Sequence, residues 1–249
     1  TAIEVQFVAE QLGLEKSSRN DRMIEPDTVD PLKTHFNLPE REIHAINSGF
    51  FWRLKRKIDI VVAAALIVVT FPLMVIVGLL VAIDVGLPVI FWQQRPGRGG
   101  LPFRLYKFRT MAAAHDSQGR RINDNLRISH IGRLLRRTRL DELPQLFSIL
   151  TGDMSFVGPR PLLAIDQAPE FSARLLVRPG LTGWAQVNGG REVSATDKAA
   201  MDIWYVCNAS VALDLKILLH TIPMVLFGDR TRHRNIQATW RDLSASGIC

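Results

Sequence analysis

Between Asp59 and Asp84 the chain carries no charged side chain, and this run limits the folds open to it more than any other feature. As an ideal helix rising 1.5 Å per residue it would extend about 36 Å, enough to cross a hydrocarbon core of about 30 Å. The sequence IDIVVAAALIVVTFPLMVIVGLLVAID is apolar on every face of such a helix, so lipid is the expected surrounding and a protein core the alternative. Its place well inside the chain argues against a signal peptide.

Insertion is easier to derive than crossing. Pro72 falls near the middle of the run, close to Thr70, where proline removes a backbone hydrogen bond and bends a helix. Arg53, Lys55, Arg56 and Lys57 precede the run, and Arg95, Arg98, Arg104, Lys107 and Arg109 follow it. Cationic flanks favour the cytoplasmic side, so a straight span would put one cluster on the wrong face. A membrane break at Pro72, returning the chain to the same face, resolves the conflict; an ordinary kinked span is the alternative.

The rest of the composition fits an anchored protein. At 249 residues there is material for one or two domains. A 47% hydrophobic content beside 22% charge implies that the apolar residues are concentrated. The net charge of +7 and pI near 9.9 favour anionic partners: phospholipid headgroups, nucleotides or nucleic acid. Cys207 and Cys249 are far apart and in no C-x-x-C pattern, which argues against a disulfide framework or a zinc site and for a reducing compartment.

Four regions are expected. Residues 1–50 form a partly ordered extension, with a short helix candidate over Ile3, Val5, Phe7, Val8 and Leu12 before a polar stretch holding Pro26 and Pro31. Residues 51–90 form the membrane-inserted element, 91–228 a catalytic domain, and 229–249 a polar tail. Within the domain, Val89 to Trp92 and Phe103 to Phe108 read as a hairpin around a Gly/Pro-rich turn. Residues 112–125 read as loop, and Leu126 to Leu135 as a helix with a basic face. Helices are expected over Thr196–Tyr205 and Ala212–Leu226, the second amphipathic with Asp214, Lys216 and His220 and facing either the core or a membrane surface. The segment RPGLTGWAQVNGGRE is turn-rich, with Trp184 and Gln186 expected at the surface. The fold class is therefore α/β but mostly helical: a re-entrant helix-break-helix, a small domain with a short β-hairpin, and amphipathic interfacial helices. Neither G-x-G-x-x-G in a strand-to-helix context nor a G-x-x-x-x-G-K-[ST] loop is present.

Chemistry concentrates between Arg133 and Pro161, RLLRRTRLDELPQLFSILTGDMSFVGPRP. Arg133, Arg136, Arg137 and Arg139 adjoin the acid pair Asp141-Glu142. Pro144 is tolerated in a first helical turn, so the acids are expected to open a helix running to Leu150. On spacing alone, helix capping explains such a pair better than catalysis does. Three Arg-Pro pairs, Arg95-Pro96, Arg160-Pro161 and Arg178-Pro179, hold guanidinium groups on stiff turns suited to phosphate oxygens; each taken singly is an ordinary surface turn.

Lys57 and Asp59 before the Pro72 run, Arg95-Pro96-Gly97, Lys107-Phe108-Arg109-Thr110-Met111, LDELPQL, GDMSFVGPRPLL, VRPGLTGWAQVNG and Asp214-Leu215-Lys216 together resemble the bacterial sugar transferase family. Those enzymes are monotopic polyprenol-phosphate phosphoglycosyl transferases that start exopolysaccharide and related glycan assembly. The likeness spans about Arg53 to Gly228. It implies transfer of a sugar-1-phosphate from a UDP-sugar to a polyprenol (undecaprenyl) phosphate with release of UMP. It implies Asp141 as the nucleophile of a covalent phosphosugar intermediate, Glu142 as its partner acid, and Mg²⁺ held at Asp141. It further implies phosphate contacts from Lys107, Arg136 and Arg160, and more weakly from Arg95 and Arg178. The place implied is the cytoplasmic face of a bacterial inner membrane, among lipid and without nucleic acid, in the compact form of the family. Ser148, Gly189-Gly190 and Ala209 depart from the family pattern without touching the acid pair.

Two other readings compete. A non-catalytic, membrane-anchored basic protein could hold anionic lipid or an assembly partner and would not need Asp141. A membrane phosphatase or kinase could use the same acids. The sugar is not encoded in any motif, and Trp184, Trp204 and the C-terminal helix suit a homo-oligomer interface as well as a core.

Overall fold

The computed structural model describes residues 49–114, 118–120, 122–189, 193–228 and 231–246. The helix expected over Ile3 to Leu12 lies outside them, as does Cys249. The described residues fall in one compact unit.

Helix α1 runs from Phe50 to Asp84 without interruption, with Pro72 inside it. The expected break between two helices is therefore replaced by one helix. Proline removes a single rung of the ladder, and the Thr70 hydroxyl donates to the Leu66 carbonyl at 2.7 Å one turn earlier. Apolar contacts on both sides of Pro72 hold the helix: Ala63 and Ile67 pack with Phe103, Leu105, Leu146 and Ile149. Met74, Val77 and Val81 pack with Phe108 and Leu135. These positions are three, four or seven residues apart, so one stripe of α1 lies on the domain at both ends. The opposite face, with Val61, Val68, Val69, Ile76, Leu79 and Ile83, is exposed. Only 17% of its most apolar window is buried. A long helix that is apolar on its uncovered face needs an apolar environment.

After a short link, β1 (Ile90–Pro96) and β2 (Pro102–Phe108) form the expected hairpin. They pair antiparallel, with Ile90 opposite Phe108 and Pro96 opposite Pro102. Helix α2 (Asp124–Arg127) is a single turn, and α3 spans His130–Thr138. One helix over 126–135 was the expectation. Instead Ile128 bridges to Met111, and the Ser129 hydroxyl caps α3 by accepting from the Gly132 amide at 2.8 Å. Helix α4 covers Gln145–Thr151, β3 Ser155–Val157, β4 Gly180–Thr182 and α5 Trp184–Asn188. Strands β3 and β4 pair in parallel. A Cβ on Gly180 would stand 2.1 Å from the Gly158 nitrogen, so the Gly158-Pro159-Arg160 turn crosses β4 at a distance only glycine allows.

The remaining helices are α6 (Ala195–Asn208), α7 (Val211–Phe227) and α8 (His233–Ala245). Ser194 and Ser210 cap α6 and α7 by accepting from the Asp197 and Leu213 amides. The two helices expected at 196–205 and 212–226 are thus present with slightly wider bounds. The segment read as a polar tail contains α8, which buries Ile236, Thr239 and Leu243. Leu243 joins a cluster with Ala200, Ile203 and Val206 of α6. The Trp240 indole donates to Asp197 at 2.7 Å, fastening α8 further. Its stripe is sparse, because Ile236, Thr239 and Leu243 at helical spacing lie among Arg234, Gln237, Arg241 and Asp242.

Trp184 also departs from expectation. It is 5% exposed and stacks on Trp204 with ring centroids 5.0 Å apart. Pairing of β4 with β3 turns α5 inwards, so the glycine-rich sequence around Trp184 marks close packing and not a surface loop. Helix α7 buries Leu213 and Ile217 while Leu215, Leu219, Ile222 and Phe227 remain exposed.

The base of α1 is fixed to the domain by polar contacts. Lys55 is paired with Asp214 of α7, and Asp214 also accepts from the Tyr205 hydroxyl at 2.7 Å. Arg56 donates to the Ile149 and Leu150 carbonyls at 2.6 and 2.9 Å, satisfying the end of α4. The Phe156 amide donates to Asp59 at 3.3 Å. Lys55→Met would leave Asp214 buried without its cation, and we expect a loss of about 3–5 kcal/mol. Thermal unfolding in detergent or nanodiscs should show a large fall in Tm for the single variant. Much of it should return in Lys55→Met/Asp214→Leu, where no unpaired charge is left.

Candidate active site

The acids lie between two helices. Helix α3 ends where Arg139 adopts a left-handed conformation (φ 59°), and the chain then makes a 3-10 turn over Leu140–Glu142. Helix α4 starts later, after Pro144 as N-cap with no side-chain capping bond. Asp141 and Glu142 therefore do not open α4 as expected, and they do not cap it. The helical phasing of LDELPQLF concealed this, because a left-handed residue at Arg139 leaves no compositional mark.

The two carboxyls have been given different surroundings. Glu142 receives Lys107 Nζ from β2 at 2.8 Å and has Arg139 at 3.7 Å. Burial acts to raise its pKa, but Lys107, then Arg139 and Arg160, outweigh it and hold the carboxyl below the usual range. Asp141 is buried, and among the described residues it accepts no hydrogen bond. Burial and the adjacent Glu142 raise its pKa, against the pull of Lys107, Arg136 and Arg139. Glu142 is thus a fixed anion in an ion pair, whereas Asp141 has an uncommitted carboxylate.

Asp141 and Glu142 line a cavity of about 1290 Å³ with Lys107, Arg136 and Arg160. Arg136 is steered by Thr110, whose hydroxyl accepts from its Nε at 2.9 Å. That contact depends on Gly132: a Cβ there would be 2.2 Å from the Thr110 carbonyl. Arg160 is exposed at the cavity wall, and its carbonyl accepts from Arg174 at 2.7 Å. Phe91, Phe108, Met111 and Leu162 supply apolar lining. Phe108 also packs on the second half of α1, so the cavity adjoins the apolar helix.

The other two Arg-Pro arginines separate. Arg95 donates to Gln93, a cavity residue, at 2.8 Å. Burial and then the neighbouring charge of Arg160 lower its pKa, against Asp166, so it stands behind the site. Arg178 does not join the cavity. It donates to the Gly152 carbonyl at 2.7 Å and lines a small cleft with Lys55, Arg56, Asp59 and Arg98, where it ties the base of α1 to the loop after α4.

Sequence reasoning missed Arg174 and Asp202, which form an ion pair at 2.5 Å and line the cavity. Burial pushes Asp202 up to about 6 despite Arg174. An acid between Met201 and Ile203 in a core helix was the available signal. Arg139, expected in the basic cluster but not among the phosphate contacts, acts on the pair directly.

Among the described residues no group of three acidic, histidine or cysteine side chains forms a metal cage. Of the acid pair, the uncommitted Asp141 carboxylate is the group that would hold a hard divalent ion, which would have to keep most of its water and bind chiefly through substrate phosphate against the cationic wall. Such an arrangement can hold a doubly or triply charged phosphate ester against a carboxylate oxygen.

The family model for the bacterial sugar transferases matches residues 50–228. The chain is 44% identical over 186 residues to the uncharacterized sugar transferase EpsL of Bacillus subtilis, covering 73% of this chain and 92% of that one. It is 42% identical over 190 residues to the UDP-glucose:undecaprenyl-phosphate glucose-1-phosphate transferase of Caulobacter vibrioides, covering 70% of each. It is 39% identical over 186 residues to the UDP-N-acetylgalactosamine-undecaprenyl-phosphate N-acetylgalactosaminephosphotransferase of Aeromonas hydrophila, of which it spans 44%. The chain belongs to the bacterial sugar transferase family.

Proposed function

We propose that this enzyme transfers a sugar-1-phosphate from a UDP-sugar to a polyprenol phosphate and releases UMP, as an early membrane step of exopolysaccharide or related glycan synthesis. The observation that carries the reading is the uncommitted, buried Asp141 in a cavity walled by Lys107, Arg136 and Arg160. The named activities of the Caulobacter and Aeromonas relatives supply the substrate class.

The reaction divides into two displacements at one carboxylate. An Asp141 oxygen attacks the sugar-bearing phosphorus, a new O–P bond forms, and the bond from that phosphorus to the bridging oxygen breaks, so UMP leaves with the electron pair. A phosphate oxygen of the polyprenol phosphate then attacks the same phosphorus, which frees Asp141 and forms the lipid diphosphate sugar. Neither displacement requires an acid to deliver a proton to a phosphate leaving group. Charge neutralisation dominates, and Lys107, Arg136 and Arg160 provide it in a partly enclosed site. Mg²⁺ at Asp141, when bound, neutralises phosphate charge there. Glu142, held by Lys107, keeps that lysine aimed into the cavity.

Helix α1 enters the membrane and, bent at Pro72 without a break in the helix, keeps both of its ends on the side of entry. Both of its ends pack on one domain: Lys55, Arg56 and Asp59 at the start, Val77 and Val81 near the end. A straight crossing would carry the second contact across the bilayer. The exposed apolar side of α7 suits the same surface, and the basic flanks favour the cytoplasmic face for the domain.

Asp141→Asn should reduce UMP release from UDP-sugars with polyprenol phosphate and Mg²⁺ by about 10³-fold or more. Wild-type enzyme incubated with UDP-sugar alone should carry a phosphosugar adduct on the Asp141 peptide by mass spectrometry. Undiminished turnover in the variant would sink the assignment, and release that ignores the lipid phosphate would favour simple hydrolysis.

In the metal-free enzyme the Asp141 carboxyl should titrate above the ordinary aspartate range by carboxyl-carbon NMR, because burial and then Glu142 raise its pKa. Glu142→Gln removes a like charge and should lower that titration, and Lys107→Met removes a cation and should raise it.

For topology, single cysteines at Arg53 and Leu87 in a cysteine-free background should both label from the cytoplasmic side of sealed vesicles. Labelling from opposite sides would establish a span.

A further inference from the structure

The cavity continues beyond Arg160 to a wall formed by α5 and α6, where the displacement chemistry uses nothing. Gln186 of α5 lies on this wall. Both its Oε1 and its Nε2 are buried, and among the described residues neither has a hydrogen-bond partner. Asp202 Oδ1 on the same wall is likewise buried and unpartnered, although the other oxygen is held by Arg174. Leaving such groups unmet is costly, so the site calls for an occupant with its own donors and acceptors.

The position of Gln186 is set by the turn that carries Arg160. A Cβ on Gly183 would come within 2.2 Å of the Gly158 carbonyl and 2.6 Å of Gln186 Oε1. The amide is therefore held against Gly158, two residues from Arg160, with only a glycine's room between. Apart from Lys198, the lining that α5 and α6 add around it is small: Ala185, Gly189, Ala195 and Ala199. Shallow walls of this kind leave space for a flat ring.

On the transferase reading, we infer that Gln186 binds the uracil edge of the donor nucleotide and that this wall is the nucleoside subsite. Uracil offers N3–H flanked by two carbonyl oxygens. A primary amide meets that edge with two parallel hydrogen bonds, Oε1 accepting from N3–H and Nε2 donating to a carbonyl, as amide side chains meet a base edge in nucleic acids. Asp202 Oδ1 is an acceptor for a ribose hydroxyl. With Arg160 on the diphosphate, the base extends towards α5 and α6, and the sugar is left to the opposite part of the cavity.

The test compares UMP with N3-methyl-UMP as inhibitors and ligands of the full chain in nanodiscs. Wild-type enzyme should bind N3-methyl-UMP about 10- to 100-fold more weakly than UMP, the range for losing one or two buried hydrogen bonds. Gln186→Ala should weaken UMP by a similar factor and bind both nucleotides alike. Equal affinity of the wild type for the two nucleotides would overturn the assignment without any variant. So would a folded Gln186→Ala that keeps its UMP affinity and changes only its choice among UDP-sugars, since Gln186 would then face the sugar. A wild type that releases UMP from UDP-sugars but fails these comparisons removes this inference alone. One that neither binds UMP nor releases it removes the transferase reading as well.

Discussion

Lys55, Arg56 and Asp59 sit in the first turns of a helix whose remaining length is apolar, and each is used up by the domain below. Lys55 pairs with Asp214, Arg56 closes the carbonyl end of α4, and Asp59 accepts from the start of β3. Polar groups at this depth are costly unless matched, so these contacts specify the rotation of α1 about its axis. Once the rotation is set, Ala63 and Ile67 must face the hairpin and α4, while Met74, Val77 and Val81 face Phe108 and α3. The hairpin strand β2 is therefore gripped along the helix. Lys107, which precedes Phe108 in that strand, is thereby aimed to the other side, at Glu142. The reactive cavity inherits its alignment with the membrane from a few polar side chains at the base of α1.

Within the cavity the same economy of charge separates two neighbouring acids. Adjacent carboxyls opening a helix would point about 100° apart but share the same first-turn amides. A left-handed Arg139 and a 3-10 turn instead send Glu142 to Lys107 and Arg139, and leave Asp141 buried beside Arg136. Two groups of the same chemistry are pushed in opposite directions, one held ionised in a salt bridge and the other made more basic and left open. Such divergence of environments is how acids of one kind take different roles.

Much of this could be read from residues alone because it depends on local patterns. The apolar run, the hairpin around Gly97 to Gly100, and the helices over 195–208 and 211–227 follow from periodicity and turn chemistry. The clustering of Lys107, Arg136 and Arg160 around Asp141 and Glu142 followed from family motifs. What stayed hidden depended on long-range packing. Trp184 looked exposed because glycines surround it, yet those glycines allow β4 and the Gly158 turn to interpenetrate. Arg178 looked like Arg160, since both precede proline, and only the tertiary path sends one to the cavity and the other to the base of α1. Helix α8 has a sparse stripe that means little until α6 is opposite it. Proline at position 72 marks a lost hydrogen bond, but whether a helix stops there is decided by contacts on both sides, and here Ile67 and Met74 both have partners.

The placement of Arg160 draws these strands together. Two residues before it Gly158 is crossed by β4 at glycine-only distance, the Arg160 carbonyl accepts from Arg174, and Arg174 holds Asp202. A guanidinium on a stiff Pro-Arg-Pro turn would still wander if the turn could shift, because an exposed arginine has many rotamers to lose. Fixing the backbone from three directions reduces what remains to be ordered when phosphate arrives. The same rigid turn places Gln186, so the phosphate wall and the wall beyond it move as one body. A change at Gly158 or Gly180 would therefore disturb both together, although neither residue contacts the cavity.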